Sequence, residues 1–141
     1  MKIALGSDEA TELTGALERD LRERGCEIVF FGALRDGGDD AWPAVGRLVG
    51  ESVASGECRF GIVCCWTGTG VSIAANKVPG VRAALCGDGA TAQGARIWND
   101  ANVLALSLRA TAPAVAKEML EAWFSAEPTS DPKYAPMIAQ V

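Results

Sequence analysis

Residues 60–77 read FGIVCCWTGTGVSIAANK. The apolar run at the start of this stretch predicts a buried strand that ends at Cys65. Gly68 and Gly70 predict a tight turn directly after the strand, and the small and apolar residues that follow predict a helix beginning near Thr69. A strand, a glycine-rich turn and a helix in immediate succession are typical of a parallel sheet covered by helices.

The same alternation of strand and helix runs along the whole chain. A chain that alternates in this way forms right-handed crossovers and a parallel sheet with helices on both faces. We therefore predict a three-layer, Rossmann-like α/β fold with five parallel strands in the flavodoxin-like order 2-1-3-4-5, in which the turns after the first and third strands are neighbours. The other predicted strands cover 2–6, 26–31, 81–86 and 102–107, and the other helices cover 13–21 and 43–54 and begin near 88 and 111.

The chain of 141 residues has the length of one domain. We predict that this domain covers residues 1–126. Residues 127–141 are polar and rich in proline, which is typical of an arm on the surface of a partner subunit or of a free tail, and the sequence leaves both interpretations open.

Composition excludes several classes of protein. The formal net charge is −5, so no positive field attracts nucleic acid. No apolar stretch approaches the length of a membrane span, and the first glycine follows the initiator methionine too closely for a secretory signal. We therefore expect a cytoplasmic protein that binds neither nucleic acid nor membrane.

The chain has five cysteines and no histidine. Five is an odd number, the spacing fits no metal site, and too few soft ligands remain for zinc, so we expect no bound metal and no disulfide framework. Without imidazole, proton transfer must use a thiol, carboxyl, hydroxyl, ammonium group or water.

The turn after the third strand has the composition of a small active site. Gly68 and Gly70 let the backbone expose its N–H groups, and the positive end of the following helix points at the same place. The same field favours the thiolate of Cys65. A base beside donors for an oxyanion is what proton abstraction next to a carbonyl requires.

Known phosphate-binding loops do not fit this turn. Val71 stands where a Walker A loop has lysine and where a cysteine phosphatase has arginine. The turn also lacks the third glycine of a dinucleotide fingerprint and follows the third strand instead of the first. We therefore expect no nicotinamide cofactor.

Three blocks of sequence carry a resemblance to a known family. Residues 6–8, 65–86 and 99–106 resemble the ribose-5-phosphate isomerase B family, which includes the galactose-6-phosphate isomerase subunits, and the similarity extends to about Phe124. The resemblance implies a Rossmann-like homodimer, with a tetramer left open, that interconverts aldoses and ketoses through a cis-enediolate without metal or cofactor. Its substrate would be a small sugar or sugar phosphate.

The resemblance also implies roles for individual residues. Cys65 matches the family cysteine that moves a proton between C1 and C2, and Thr67 matches the hydroxyl beside it. The expected substrate-binding residues are the cradle Gly68, Thr69, Gly70 and Ser72, the sugar contacts Asp8 and Asn99, and the phosphate contact Arg109.

Several positions depart from the family pattern. Trp98 replaces the histidine that opens the sugar ring, and Glu9 replaces a histidine near the phosphate. A carboxylate there repels a dianion. Lys133 is the single cation of the arm, while Trp42 and Trp66 are expected to line the pocket as aromatic walls.

These departures favour a substrate that is less anionic than ribose 5-phosphate, or differently shaped, and whose carbonyl is already in open-chain form. Four-carbon sugar phosphates meet that condition. The sequence leaves open the carbon count and the phosphorylation of the substrate. It also leaves an alternative open, a non-catalytic sugar-binding or regulatory subunit with the same fold. Glu9 could instead pair with an arginine such as Arg96.

Overall fold

A computed structural model describes residues 1–141, which form one parallel sheet of five strands with helices on both faces. The predicted fold class is confirmed. The strands are β1 (Lys2–Ser7), β2 (Glu27–Gly32), β3 (Phe60–Cys65), β4 (Ala83–Leu85) and β5 (Val103–Ser107). The helices are α1 (Glu12–Glu23), α2 (Trp42–Ala54), α3 (Thr69–Asn76), α4 (Gly89–Asn99), α5 (Pro113–Ser125) and α6 (Ala135–Ile138).

The strand order corrects one detail of the prediction. The observed order is β2-β1-β3-β5-β4, so the last two strands are exchanged relative to 2-1-3-4-5. All residues of β5 are buried, whereas β4 has three residues that are half-buried or exposed. The longer, wholly buried strand therefore takes the inner position, which must be covered on both faces, and the short strand takes the edge. The predicted neighbours β1 and β3 do pair, with Ser7 beside Cys64.

Two apolar clusters fill the space between the sheet and its helices. Helices α1, α4 and α5 cover one face around the buried Trp123, and α2 and α3 cover the other around Val45 and Val49. Since successive side chains of a strand point to opposite faces, Cys64 belongs to the first cluster and Cys65 to the second. No helix has both the length and the apolar character needed to cross a bilayer.

Each helix that returns to the sheet starts at the carboxyl edge of the strands and ends at the amino edge. The arm that follows α5 therefore begins at the amino edge, where Thr129 N–H donates to the Ile97 carbonyl at 2.8 Å. The contact lies at the C-terminal half of α4. The division into residues 1–126 and an arm of 127–141 stays a prediction.

The free edge of β4 is closed by a side chain. Asn76, at the end of α3, donates from Nδ2 to the Ala83 carbonyl at 2.9 Å and accepts from Ala83 N–H at 2.7 Å. The amide thus pairs with the edge strand as another strand would. Unpaired strand edges are templates for pairing with other chains, so this contact protects the edge as well as stabilising it.

We expect Asn76→Ala to lower the free energy of unfolding by about 1–3 kcal/mol, because two hydrogen bonds to the backbone are lost. Asn76→Asp is the sharper variant, since a carboxylate still accepts from Ala83 N–H but faces the Ala83 carbonyl without a donor. Urea denaturation of the three proteins measures the effect. Equal midpoints for all three would contradict a role for this amide.

Candidate active site

The carboxyl edge of the sheet brings together three of the predicted site segments. Asp8 and Glu9 follow β1, residues 66–70 follow β3, and Arg109 follows β5. Because β3 pairs with both β1 and β5, the loop after β3 lies between the other two segments. Open parallel sheets bind ligands at this edge.

Four hydrogen bonds fix the loop that begins at Cys65. The Cys65 carbonyl accepts from Gly68 N–H at 3.1 Å and from Leu108 N–H at 2.9 Å. The next carbonyl, of Trp66, accepts from Arg109 N–H at 3.1 Å and from Ser107 Oγ at 2.9 Å. The cysteine loop is therefore tied to the end of β5, and Arg109 is tied to the cysteine loop.

The N–H groups of the same loop are free. Gly68 and Ser72 donate to backbone carbonyls, but the N–H groups of residues 66, 67, 69 and 70 donate to no protein acceptor. The start of α3 has no side-chain cap either. Free donors at the positive end of a helix form a ready site for an anion or a developing oxyanion. This arrangement is the one predicted from Gly68 and Gly70.

Residues 66–72, which include these free donors, form the cradle. The exposed hydroxyls of Thr67 and Thr69 lie 2.7 Å apart at its mouth. The Trp42 ring lies against Gly70, where a Cβ atom would be 2.9 Å from the ring. Trp66 is 60% exposed and Trp42 is 45% exposed. The two indoles therefore stand beside the cradle as exposed walls.

Cys65 is the last residue of β3 and directly precedes this loop. Its side chain is 5% exposed and packs on the face covered by α2 and α3. Cys64, its neighbour in sequence, is fully buried on the opposite face, where burial raises the pKa of the thiol far above its usual range. Of these two cysteines, Cys65 is the one directed toward the side that carries Trp42 and α3.

Asp8 is the unusual carboxyl group of the site. Its Oδ1 atom is buried and has no hydrogen-bond partner. Burial raises the pKa of Asp8, and the nearby carboxylates of Glu9 and Asp40 raise it further. An acid that keeps its proton more readily than usual, with a free oxygen at the ligand-binding edge, is suited to hydrogen bonding with sugar hydroxyls.

This burial predicts a stability cost that depends on pH. Folding raises the pKa of Asp8 above its ordinary 3.8. At pH values between 3.8 and the higher pKa of the folded state, the folded chain therefore binds more protons than the unfolded chain. Stability falls as the pH rises through this range. We expect Asp8→Asn to unfold at a higher temperature than the wild type at pH 7, with the gain shrinking toward pH 3.

Asp88 is the control, because folding shifts its pKa in the opposite direction from that of Asp8. It accepts from Thr91 N–H at 2.7 Å as the cap of α4, and this bond lowers the pKa of Asp88. Its stabilising contribution is present above the ordinary value of 3.8 and is lost as pH falls through the folded value. Asp88→Asn should therefore lose stability at pH 7. A fall in melting temperature for both variants would contradict the assignment for Asp8.

A cleft of about 460 Å³ opens between the ends of β4 and β5, next to the loop. Burial raises the pKa of Cys86, on its wall, to about 11, so this thiol stays protonated at neutral pH. Thr67, Ser107, Arg109 and Thr111 place polar groups in a cleft whose lining is otherwise apolar. The remaining lining residues are Leu85, Cys86, Gly87 and Ala110.

Three predicted site residues lie elsewhere in the chain. Trp98 and Asn99 end α4 and are exposed, and Lys133 lies in the arm that contacts the same end of α4. This end is at the amino edge of the sheet, and a helix of 11 residues spans about 16 Å. One chain therefore does not bring these residues to Cys65.

Arg96 does not pair with Glu9, which corrects the alternative considered for that carboxylate. Arg96 is buried and donates to Asp100 Oδ1 at 2.8 Å and to the Ala101 carbonyl at 2.7 Å. Glu9 is exposed, and its backbone is held by the Ser7 hydroxyl, which donates to the Glu9 carbonyl at 2.7 Å. The Glu9 carboxylate is thus free to meet a ligand.

Two residues of the site were missed by sequence reasoning. Asp40 lies close enough to Asp8 to affect its pKa, but a flexible acidic loop gives no sign of where it folds. Ser107 is a buried polar residue at the end of an apolar strand, and that signal could have been used. No group of three or more cysteine, aspartate or glutamate side chains is arranged to hold a metal ion.

Comparisons with known proteins agree with this fold. The family model described as Ribose/Galactose Isomerase matches residues 3–141. The chain is 37% identical over 128 residues to D-erythrulose-4-phosphate isomerase of Pectobacterium atrosepticum, covering 90% of this chain and 84% of the relative. It is 39% identical over 127 residues to ribose-5-phosphate isomerase B of Escherichia coli, covering 89% and 85%.

A solved structure gives the same result. Ribose-5-phosphate isomerase B of Clostridium thermocellum superimposes with a TM-score of 0.89 at 40% identity, covering 99% of this chain and 94% of that one. Sequence similarity and fold therefore agree over nearly the whole length. The chain belongs to the ribose/galactose isomerase family and is a sugar-phosphate isomerase of the ribose-5-phosphate isomerase B type.

Proposed function

We propose that this protein interconverts an aldose and a ketose through a cis-enediolate, with Cys65 moving the proton between C1 and C2. The observation that carries the proposal is the group of free N–H groups at residues 66, 67, 69 and 70 in the loop that directly follows Cys65. Such donors stabilise the negative charge that develops on the substrate oxygens when the carbon is deprotonated. Thr67 would assist at the mouth of the cradle.

The low exposure of Cys65 fits this role. A base has to reach only one carbon of the substrate, and the exclusion of water strengthens electrostatic interactions in the site. The cradle residues Gly68, Thr69, Gly70 and Ser72 would hold the enediolate, and Asp8 would accept or share hydrogen bonds with sugar hydroxyls. Proton transfer would use no metal or organic cofactor.

We further propose that the substrate is not ribose 5-phosphate. Glu9, Asp8 and Asp40 lie close together at one side of the site, and carboxylates repel a phosphate dianion. Arg109 is the cation best placed to offset them, at the opposite side of the cysteine loop. A four-carbon sugar phosphate carries the same phosphate group but needs no ring-opening group, and one relative is named for D-erythrulose 4-phosphate.

A substrate role for Trp98, Asn99 and Lys133 requires a second copy of the chain. Each lies at or near the amino edge of its own sheet, away from its own Cys65. We propose a homodimer in which these residues of one chain approach the cradle of the other, with residues 127–141 as the arm. Trp66, Trp42 and Ile73 are exposed beside the cradle and provide apolar surface for that contact.

Proton exchange at C2 tests the reaction. Aldoses and ketoses of four to six carbons, with and without phosphate, are incubated with the protein in deuterated water and followed by proton NMR. Loss of the C2 proton signal of an aldose, or of a C1 proton signal of a ketose, together with formation of the isomeric sugar supports the proposal. If no member of the panel exchanges, the chain does not isomerise these sugars.

The charge of Glu9 tests the substrate class. For a phosphorylated substrate we expect Glu9→Gln to lower KM by about threefold to tenfold, because one like charge is removed from the site. For an unphosphorylated sugar, KM should stay constant or rise, since a hydrogen-bond acceptor is weakened. Glu23→Gln, the same change at the far end of α1, is the control. Identical KM values for all three proteins would exclude contact between Glu9 and substrate.

The alternative is a sugar-binding or regulatory subunit that does not turn over its ligand. The replacement of a ring-opening histidine by Trp98 favours it, and the intact cysteine cradle opposes it. Calorimetry with the same panel separates the two. Binding without exchange at C2 supports the alternative, whereas binding with exchange supports the enzyme.

A further inference from the structure

Ser107 connects the two loops that form the site. It is the last residue of β5, its side chain is 9% exposed, and it lies on the wall of the cleft beside Thr67 and Arg109. Its hydroxyl donates to the Trp66 carbonyl at 2.9 Å and accepts from Ala110 N–H at 3.2 Å. Forty-one residues separate Ser107 and Trp66 in sequence.

We infer that Ser107 is a positioning residue for the isomerase reaction, an inference that rests on the proposed role of Cys65. Both hydrogen bonds of the Ser107 hydroxyl are made to backbone groups of the protein, the Trp66 carbonyl and Ala110 N–H. The hydroxyl therefore holds these groups in place. The carbonyl of Trp66 is shared by Ser107 Oγ and Arg109 N–H. The hydroxyl therefore fixes the peptide that follows Cys65 and the loop that carries Arg109 as one unit.

The consequence is a fixed direction for the free N–H groups. The peptide between Trp66 and Thr67 has its carbonyl held by Ser107 and Arg109, and its N–H is one of the free donors of the cradle. Because a peptide is planar, holding the oxygen also sets the direction of the N–H on the other side. Donors aimed in advance at the developing oxyanion are what make such a site effective.

The tests are Ser107→Ala, which removes the hydroxyl, and Ser107→Thr, which retains it. Small misplacements of reacting groups cost much rate, so we expect Ser107→Ala to lower kcat by about 10-fold to 100-fold while KM changes by less than about threefold. Ser107→Thr should recover most of kcat. The rate of Cys65 alkylation, followed by peptide mass spectrometry in a Cys26→Ser background, should change in Ser107→Ala.

Ser52→Ala is the matched control. Ser52 is 5% exposed and donates to Glu57 Oε2 at 3.1 Å, near the end of α2 away from the site. Ser52→Ala should lower stability by about as much as Ser107→Ala does and should leave kcat unchanged. If Ser107→Ala matches Ser52→Ala in both kcat and alkylation rate, the positioning role is wrong although the enzyme is active. If the wild type exchanges no substrate proton, the proposed function itself has failed.

Discussion

Cys65→Ala is expected to lower the rate of proton exchange at C2 by about 10³-fold or more, because general-base catalysis contributes about 10²–10⁴ and no histidine exists to replace the thiol. Binding should change little, since the free N–H groups that we propose as substrate contacts belong to the backbone. Exchange measured by NMR and binding measured by calorimetry together report this split.

Cys64→Ala is the control for this experiment. It removes the same group from the adjacent residue, but the Cys64 side chain is fully buried on the other face of the sheet. The variant should lose stability through a small cavity and keep its rate. If Cys65→Ala and Cys64→Ala retain equal activity, the base is another group, and the carboxyl of Asp8 becomes the next candidate.

A carboxyl group is a realistic competitor because Asp8 shares the edge with Cys65. Thiols and carboxyl groups ordinarily lose their protons in different pH ranges. The exchange rate catalysed by a thiol rises with pH toward the alkaline side of neutrality, whereas that of a carboxylate is already constant at pH 7. The pH dependence of kcat/KM in the wild type therefore discriminates between them without any substitution.

The local parts of this site were predictable from sequence. A strand ending at Cys65, a turn at Gly68 and a helix from Thr69 depend on residues adjacent in sequence, and all three occur as predicted. Composition and periodicity are enough for such units because each residue acts through its own backbone conformation and its neighbours.

The strand order and the residues around the site depend on distant parts of the chain. Whether β4 or β5 lies at the edge is decided by which strand can be covered on both faces, and the Asn76 amide that closes the edge gives no periodic signal. For Trp98 and Asn99, resemblance implies a role at the site but gives no position in the fold. Both residues end α4, so a single chain does not bring them to Cys65.

Gly68→Ala is the second substitution for which we expect a large effect. Gly68 is the N-cap residue that precedes α3, and its φ of 76° is a left-handed conformation that costs other residues about 1–2 kcal/mol. A Cβ atom there would also lie 2.8 Å from the carbonyl carbon and 2.9 Å from the oxygen of Leu106. Leu106 is in the middle of the sheet and cannot move aside without disturbing β3 and β5.

We therefore expect Gly68→Ala to lower the free energy of unfolding by about 3 kcal/mol or more, with a fall of roughly 10 °C in melting temperature. Gly80→Ala is the matched control, because its φ of 86° carries the same conformational cost and its Cβ atom would meet nothing within 4 Å. The difference between the two variants isolates the collisions with Leu106 of β5 and with the Leu85 side chain, whose Cδ1 atom lies 2.6 Å from the same position. Equal melting temperatures would show that the cradle is not held against Leu106, and the direction of its free N–H groups would then need another explanation.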